Sequence, residues 1–289
     1  MEKGHPRTRT NKLTAIPKVD KRRPEDSFQD LFRSYEMDAI GSKYRKRLSE
    51  IGIGNQKSVV VDFVDLVSFD PILARSLVEH PDDFISFASS AATAQMRIED
   101  SYHANEIGKV FARFRGFRGL PETLAIRNVS IENRGKLVSV VGLVSNVRAP
   151  HLVIIQAVYR CRRCLEIIRE DQSGKFFRGP SSTCPNCKQR SAFELLEEQS
   201  MFKNKQKVRL VELVSDKSSK PKNARSIDII LSDDLVDSVK IKDRIRVTAI
   251  VRIESSATPT RTDSFALVLE ANDVCPLGDA PSNSVVDTR

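Results

Sequence analysis

Two cysteine pairs carry the chemistry this chain can do. Cys161-Arg162-Arg163-Cys164 and Cys184-Pro185-Asn186-Cys187 each space two sulfurs so that one tight turn can aim both at a single ion, and nineteen residues lie between the pairs. Four thiolates at this spacing make a tetrahedral zinc set. A lone Cys-x-x-Cys reads equally as a redox dithiol; two of them point to a metal. Four sulfurs fill the coordination sphere and leave no position for water. One structural Zn²⁺ per chain is therefore expected, not a catalytic one. Iron in a rubredoxin-like centre is the other ion that four thiolates suit. The fifth cysteine, Cys275, has no partner motif and reads as an inert thiol.

No second constellation supports catalysis. The sequence has no Gly-x-x-x-x-Gly-Lys-Ser/Thr phosphate loop, no His-Glu-x-x-His and no Gly-x-Ser-x-Gly, and His5, His80, His103 and His151 are scattered. The chain reads as non-enzymatic, with no nucleotide site. Its 289 residues, 40% of them hydrophobic, allow a sizeable core and two or three domain-sized units. Lys and Arg number 47 against 38 Asp and Glu, a net charge of +9. That excess favours a polyanionic partner, nucleic acid first, although simple solubility explains it too. No apolar run approaches the ~20 residues of a membrane span, and the polar N-terminus lacks a signal-peptide core. Cysteines in metal spacing fit a reducing, intracellular compartment.

The elements that position the cysteines follow from periodicity. Residues 1–26 form a basic arm, flexible and either solvated or in contact with nucleic acid. From Ser27, a candidate cap, Phe28, Leu31, Phe32 and Tyr35 recur at helical spacing. Gly52 and Gly54 close that segment. An extended run is expected over 58–64, a helix over 70–79 and another from Pro81 to about Asn105. Residues 27–108 thus read as a helical bundle, followed by a connector over 108–128. The period then falls to two. Strands are expected over 136–148, with Gly142 at a bulge or barrel bend, and over 153–160, 208–214, 226–231, 245–254 and 265–271. Short strands with no long helices between them argue for a small antiparallel barrel of OB type. The fold class is α+β multidomain: a helical bundle over 27–108, an OB-fold β-barrel from 109–155 and 199–272, a four-cysteine zinc-ribbon module over 156–198 inserted between the second and third strands, and a flexible tail over 273–289.

A row of cations is the second chemical signal. Lys203, Lys205, Lys207 and Arg209 alternate at period two, so an extended backbone points all four to one face. They read either as a track for phosphates or as an exposed edge strand blocked by lysine. The cysteine region is also basic, through Arg160, Arg162, Arg163, Arg169, Lys188 and Arg190; nucleic acid and an acidic neighbouring subunit explain that equally. Aromatic residues are 6% of the chain, with no Trp. Their scarcity suits binding through the backbone of the nucleic acid more than through stacked bases.

Taken in order, these features resemble the N-terminal region of archaeal minichromosome maintenance (MCM) replicative helicases. The resemblance rests on the two Cys-x-x-Cys pairs, Gly135-Lys-Leu-Val-Ser-Val-Val-Gly-Leu-Val144, Phe193-Glu-Leu-Leu196, Gln206-Lys-Val-Arg-Leu-Val-Glu212, the run from Ser226 to Ser238, Asp243-Arg-Ile-Arg-Val-Thr-Ala-Ile250 and Ser68-Phe-Asp-Pro71. It covers roughly residues 27–271. It implies a hexameric ring around DNA, possibly doubled, in which Arg148, Lys207, Arg209 and the hairpin-tip Arg261 face a positive channel. It further implies single-stranded and possibly double-stranded DNA as partner, zinc modules that meet between stacked rings, a loop at 213–224 that communicates with a motor tier, and a place in the cytoplasm of an archaeal cell, at the nucleoid. A zinc-ribbon adaptor in transcription or RNA metabolism is the alternative.

Overall fold

The structure, a computed structural model, describes residues 23–35, 42–54, 56–117, 122–172, 179–180, 183–190, 192–213, 224–255 and 265–277. The basic arm up to residue 22, most of the loop at 213–224, the hairpin tip with Arg261 and the end of the tail lie outside them.

The N-terminal unit contains α1 (Pro24–Ser34), α2 (Lys43–Gly54), β1 (Ser58–Asp62), α3 (Phe63–Phe69), α4 (Pro71–Glu79), α5 (Pro81–Glu99), α6 (Ser101–Ile107) and β2 (Phe111–Arg115). Proline opens α1, α4 and α5, where its missing N–H costs nothing. The cap position of α1 is Arg23, so Ser27 lies inside the helix rather than at its start. Asp70 caps α4 by accepting from the N–H groups of Ile72 and Leu73 at 2.9 and 3.0 Å. Asp100 accepts from the His103 N–H at 3.1 Å and so starts α6. The single helix expected over 81–105 is therefore two. Phe63 begins a helix rather than ending a strand. The expected connector contains β2, which runs parallel to β1 with Ser58 opposite Phe111. Phe28, Phe32, Tyr44, Leu77, Met96, Phe114 and Phe117 fill one apolar cluster, so this unit packs through to Phe117, past the expected boundary at 108.

The second unit is a five-stranded barrel of β4 (Leu137–Val147), β8 (Met201–Val211), β9 (Ser226–Ser232), β10 (Arg244–Ser255) and β11 (Phe265–Pro276). β4 pairs with β10, β10 with β11, β11 with β9, β9 with β8, and β8 returns to β4. Only β9 and β11 run parallel. This closed order is OB-like. The strand expected to stop at Ala271 runs on to Pro276 and includes Cys275. The short β3 (Thr123–Leu124) lies against β4. Gly142 stands where β4 turns from β10 to β8. A Cβ there would lie 2.5 Å from Leu210 Cγ and 2.7 Å from the Val211 carbonyl oxygen.

Three further strands leave the barrel between β4 and β8: β5 (His151–Cys161), β6 (Ile167–Asp171) and β7 (Phe193–Leu195). β5 pairs with β8 as a long hairpin and then with β6 and β7. β5 takes no part in barrel closure, so residues 151–155 belong with the insertion, and the insertion lies between the first and second barrel strands. Among the described residues, neither apolar cluster takes one from between Val147 and Val208.

A polar clasp joins the two units. The β10–β11 register shifts between Thr248 and Ala249, leaving Asn272 as the extra residue on β11. Such a bulge re-aims a side chain. Asn272, 4% exposed, accepts from the Phe114 N–H at 2.7 Å and donates to the Ala112 carbonyl at 3.0 Å. Beside it Arg115 pairs with Asp273 at 2.8 and 2.9 Å, and Arg113 reaches Asp234 and the Asn272 carbonyl. The barrel is thereby fixed against β2, and the orientation of the face that carries β8 is set.

Candidate metal centre and nucleic-acid interface

The sulfurs of Cys161, Cys164, Cys184 and Cys187 all lie within 4.8 Å of one another. The two turns that hold them are built alike. Cys161 N–H donates to the Glu166 carbonyl and Leu165 N–H to the Cys161 carbonyl, at 2.9 and 3.0 Å. Cys184 N–H donates to the Gln189 carbonyl and Lys188 N–H to the Cys184 carbonyl, at 3.1 and 3.0 Å. The residue after each second cysteine takes a left-handed conformation, with φ of 62° at Leu165 and 55° at Lys188. A tetrahedral ion with Zn–S bonds of ~2.3 Å requires sulfurs ~3.8 Å apart. Cys164 and Cys184 are 3.6 Å apart, so the set fits such an ion. A hydrogen bond from the Glu166 backbone favours the Cys164 thiolate, but burial and three neighbouring thiols outweigh it and push its pKa up to about 11. Four thiols this close resist ionising together, and a cation among them reverses that balance.

The cation row lies on β8. Gln206, Val208 and Leu210 point inward, and Lys203, Lys205, Lys207 and Arg209 share the other face. β8 has β9 on one side and β4 or β5 on the other over most of its length, so the lysines do not serve to block a free edge there. Three of the four cations are paired within the chain. Lys203 meets Asp233 at 3.0 Å, Lys207 meets Glu254, and Arg209 grips Asp228 with 2.8 and 3.2 Å bonds. Burial pushes the Asp228 carboxyl up, but the Arg209 hydrogen bonds outweigh it and hold it below the usual carboxylate range. Ion pairs at this exposure are worth about 0–1 kcal/mol, which a phosphate can displace. Lys205 and the exposed Arg148 make no ion pair among the described residues.

Arg148, Lys205 and Lys207 line a groove of about 620 Å³. Lys203 and Arg209 are not part of its wall, and Arg261 lies outside the described residues. Two further groove residues were not anticipated from the sequence. His151 stands opposite Lys205 in the β5–β8 pairing, and Arg252 comes from β10. Arg252 continues the even-numbered register of Arg244 and Arg246, a signal the sequence does carry.

Residues 25–116 match the MCM N-terminal domain and residues 125–255 the MCM OB domain. The chain belongs to the MCM family. It is similar to the minichromosome maintenance protein MCM of Saccharolobus solfataricus, with 26% identity over 247 residues, 84% of this chain and 35% of that protein. The DNA replication licensing factor MCM6 of Arabidopsis thaliana is 24% identical over 234 residues, 78% of this chain and 28% of its own. The licensing factor mcm4 of Xenopus tropicalis is 29% identical over 224 residues, 76% of this chain and 24% of its own. This MCM chain thus spans about a third or less of these relatives, and the regions matched are N-terminal and OB domains. Among the described residues, no helix is long and apolar enough to cross a membrane.

Proposed function

We propose that this MCM chain is a non-catalytic, DNA-binding and ring-assembling tier of a replicative helicase, working on nucleoid DNA in the cytoplasm. The observation that carries the reading is the groove on the OB-like barrel, where Arg148 and Lys205 make no direct ion pair among the described residues, Arg148 acting on Asp228 only from a distance. Binding there is electrostatic. Lys205 and Arg148 meet phosphates first; Lys207, next to them, exchanges Glu254 for phosphate. Lys203 and Arg209, each already paired, contribute through the field of the β8 face rather than as first contacts. Such contacts carry no base readout and tolerate any sequence. Each subunit binds weakly, and six copies in a ring, or twelve in two rings, multiply the affinity by holding one strand at several sites.

Cys161, Cys164, Cys184 and Cys187 would hold one Zn²⁺ as a closed structural ion. When bound it supplies no chemistry to a substrate; it fixes the two knuckles against each other. Among its described residues the insertion buries little apolar surface, chiefly Ala157, Val158 and Tyr159, and a small module with so little core is one that a metal stabilises. Native mass spectrometry of the zinc-loaded protein, with and without single-stranded DNA, tests the assembly. Six or twelve subunits bound to DNA are expected. A persistent monomer without DNA affinity favours the adaptor reading instead.

A further inference from the structure

The groove does not end on the barrel. It meets a cavity of about 200 Å³ at Arg252 and Glu270, which both share. That cavity in turn shares Lys109, Phe111, Lys203 and Asp233 with a third, of about 680 Å³, in the seam between the N-terminal unit and the barrel. Three neighbouring depressions that share walls thus lie in series from Arg148 to Lys57, the first two divided by the Arg252 ion pairs with Asp82 and Glu270.

The seam has its own chemistry. Every carboxylate in it is already paired: Asp233 with Lys203, Asp234 with Arg113, and Asp82 and Glu270 with Arg252. Lys57 and Lys109 are exposed and make no ion pair among the described residues, so the seam is positive. Lys109 Nζ stands 5.5 Å from the centre of the Phe111 ring. Phe202, 43% exposed, comes from β8 and lines the same cavity. β9 ends at Ser232, opposite Lys205, so the β8 edge from Met201 to Asn204 has no strand on that side among the described residues. Two ammonium groups without carboxylate contacts among the described residues, one of them over the Phe111 ring, and an exposed ring on β8 are what an unstacked base and its phosphates require. A duplex, with its bases stacked, has no use for the ring.

We propose that a single strand leaves the barrel groove past Arg252 and continues into this seam, stacking a base on Phe202 and meeting Lys57 and Lys109 with its phosphates. The proposal rests on the nucleic-acid reading of the groove and extends the footprint onto the N-terminal unit. Fluorescence anisotropy on the zinc-loaded full chain, with oligo-dT of about 6 and about 16 nucleotides, tests it. Phe202→Ala and Phe202→Leu should each weaken binding of the longer oligonucleotide about tenfold, the loss expected from one stacked base, and leave the shorter one unchanged. Lys57→Glu with Lys109→Glu should flatten the salt slope for the longer oligonucleotide by about 1.4. Wild-type behaviour of these variants, while Arg148→Glu with Lys205→Glu loses affinity, would end the strand path at the barrel and overturn the proposal alone. If all variants bind as wild type, the groove reading falls with it. A change in subunit number on native mass spectrometry for Phe202→Ala, with affinity per subunit kept, would make the ring a subunit contact and also overturn the proposal.

Discussion

Cys184→Ser is expected to lower bound zinc from one ion per chain to essentially none and to unfold the insertion while the barrel stays folded. Serine offers a hydroxyl that stays protonated near neutral pH, where the ion needs a thiolate. Three sulfurs remain, on two knuckles no longer held to each other. The energy at stake is large: apparent affinities of structural zinc sites run to about 10–16 kcal/mol at neutral pH, and that energy is folding energy where no core substitutes for it. Among the described residues none between Val147 and Val208 joins either apolar cluster, and the buried Ala157, Val158 and Tyr159 are a small core to set against that energy. The barrel closes through β4 and β8 without help from the insertion. Elemental analysis and amide exchange read the two effects separately. Rapid exchange should be confined to 151–198, and protection retained there without metal would contradict the structural role.

Gly142→Val should prevent the barrel from closing. The added Cβ has nowhere to go, with Leu210 Cγ at 2.5 Å and the Val211 carbonyl oxygen at 2.7 Å. Leu210 is fully buried and the Val211 oxygen is backbone, so neither yields without moving β8. Overpacking of a core typically costs about 1–3 kcal/mol, and here the displaced strand is the one that completes the ring. A loss of about 3 kcal/mol or more is expected in urea unfolding. Gly54→Ala is the control. Its Cβ meets only the Gln56 side chain at 3.6 Å, so stability should stay within about 0.5 kcal/mol. Equal effects at the two positions would mean that the β4–β8 approach is not what closes the barrel.

The sequence made some of this legible because the signals were local. The cysteine spacing announced the cluster, and the two-residue period marked the long strands from Leu137 onward. Gly142 stood out in a β-branched run for the reason the close approach to Leu210 now supplies. What escaped depended on distant partners. β2 is a strand because β1, some fifty residues earlier, lies beside it, and its composition alone resembles a connector. The break between α5 and α6 turns on one Asp100 side chain. Alternation brought the four β8 cations to one face, but nothing local to that run foretold that Asp228, Asp233 and Glu254 would neutralise three of them. The two cations that make no direct ion pair among the described residues, Arg148 and Lys205, stand on separate segments and gained their weight only once the groove was formed.

The salt dependence of single-stranded DNA binding bears most directly on the central claim. For the zinc-loaded protein, the logarithm of affinity should fall linearly with the logarithm of salt concentration. Arg148→Glu with Lys205→Glu should flatten that line by about 1.4 for each subunit engaged, at about 0.7 per phosphate contact removed. A double variant whose slope equals that of the wild type would show that the groove on the barrel does not hold the DNA.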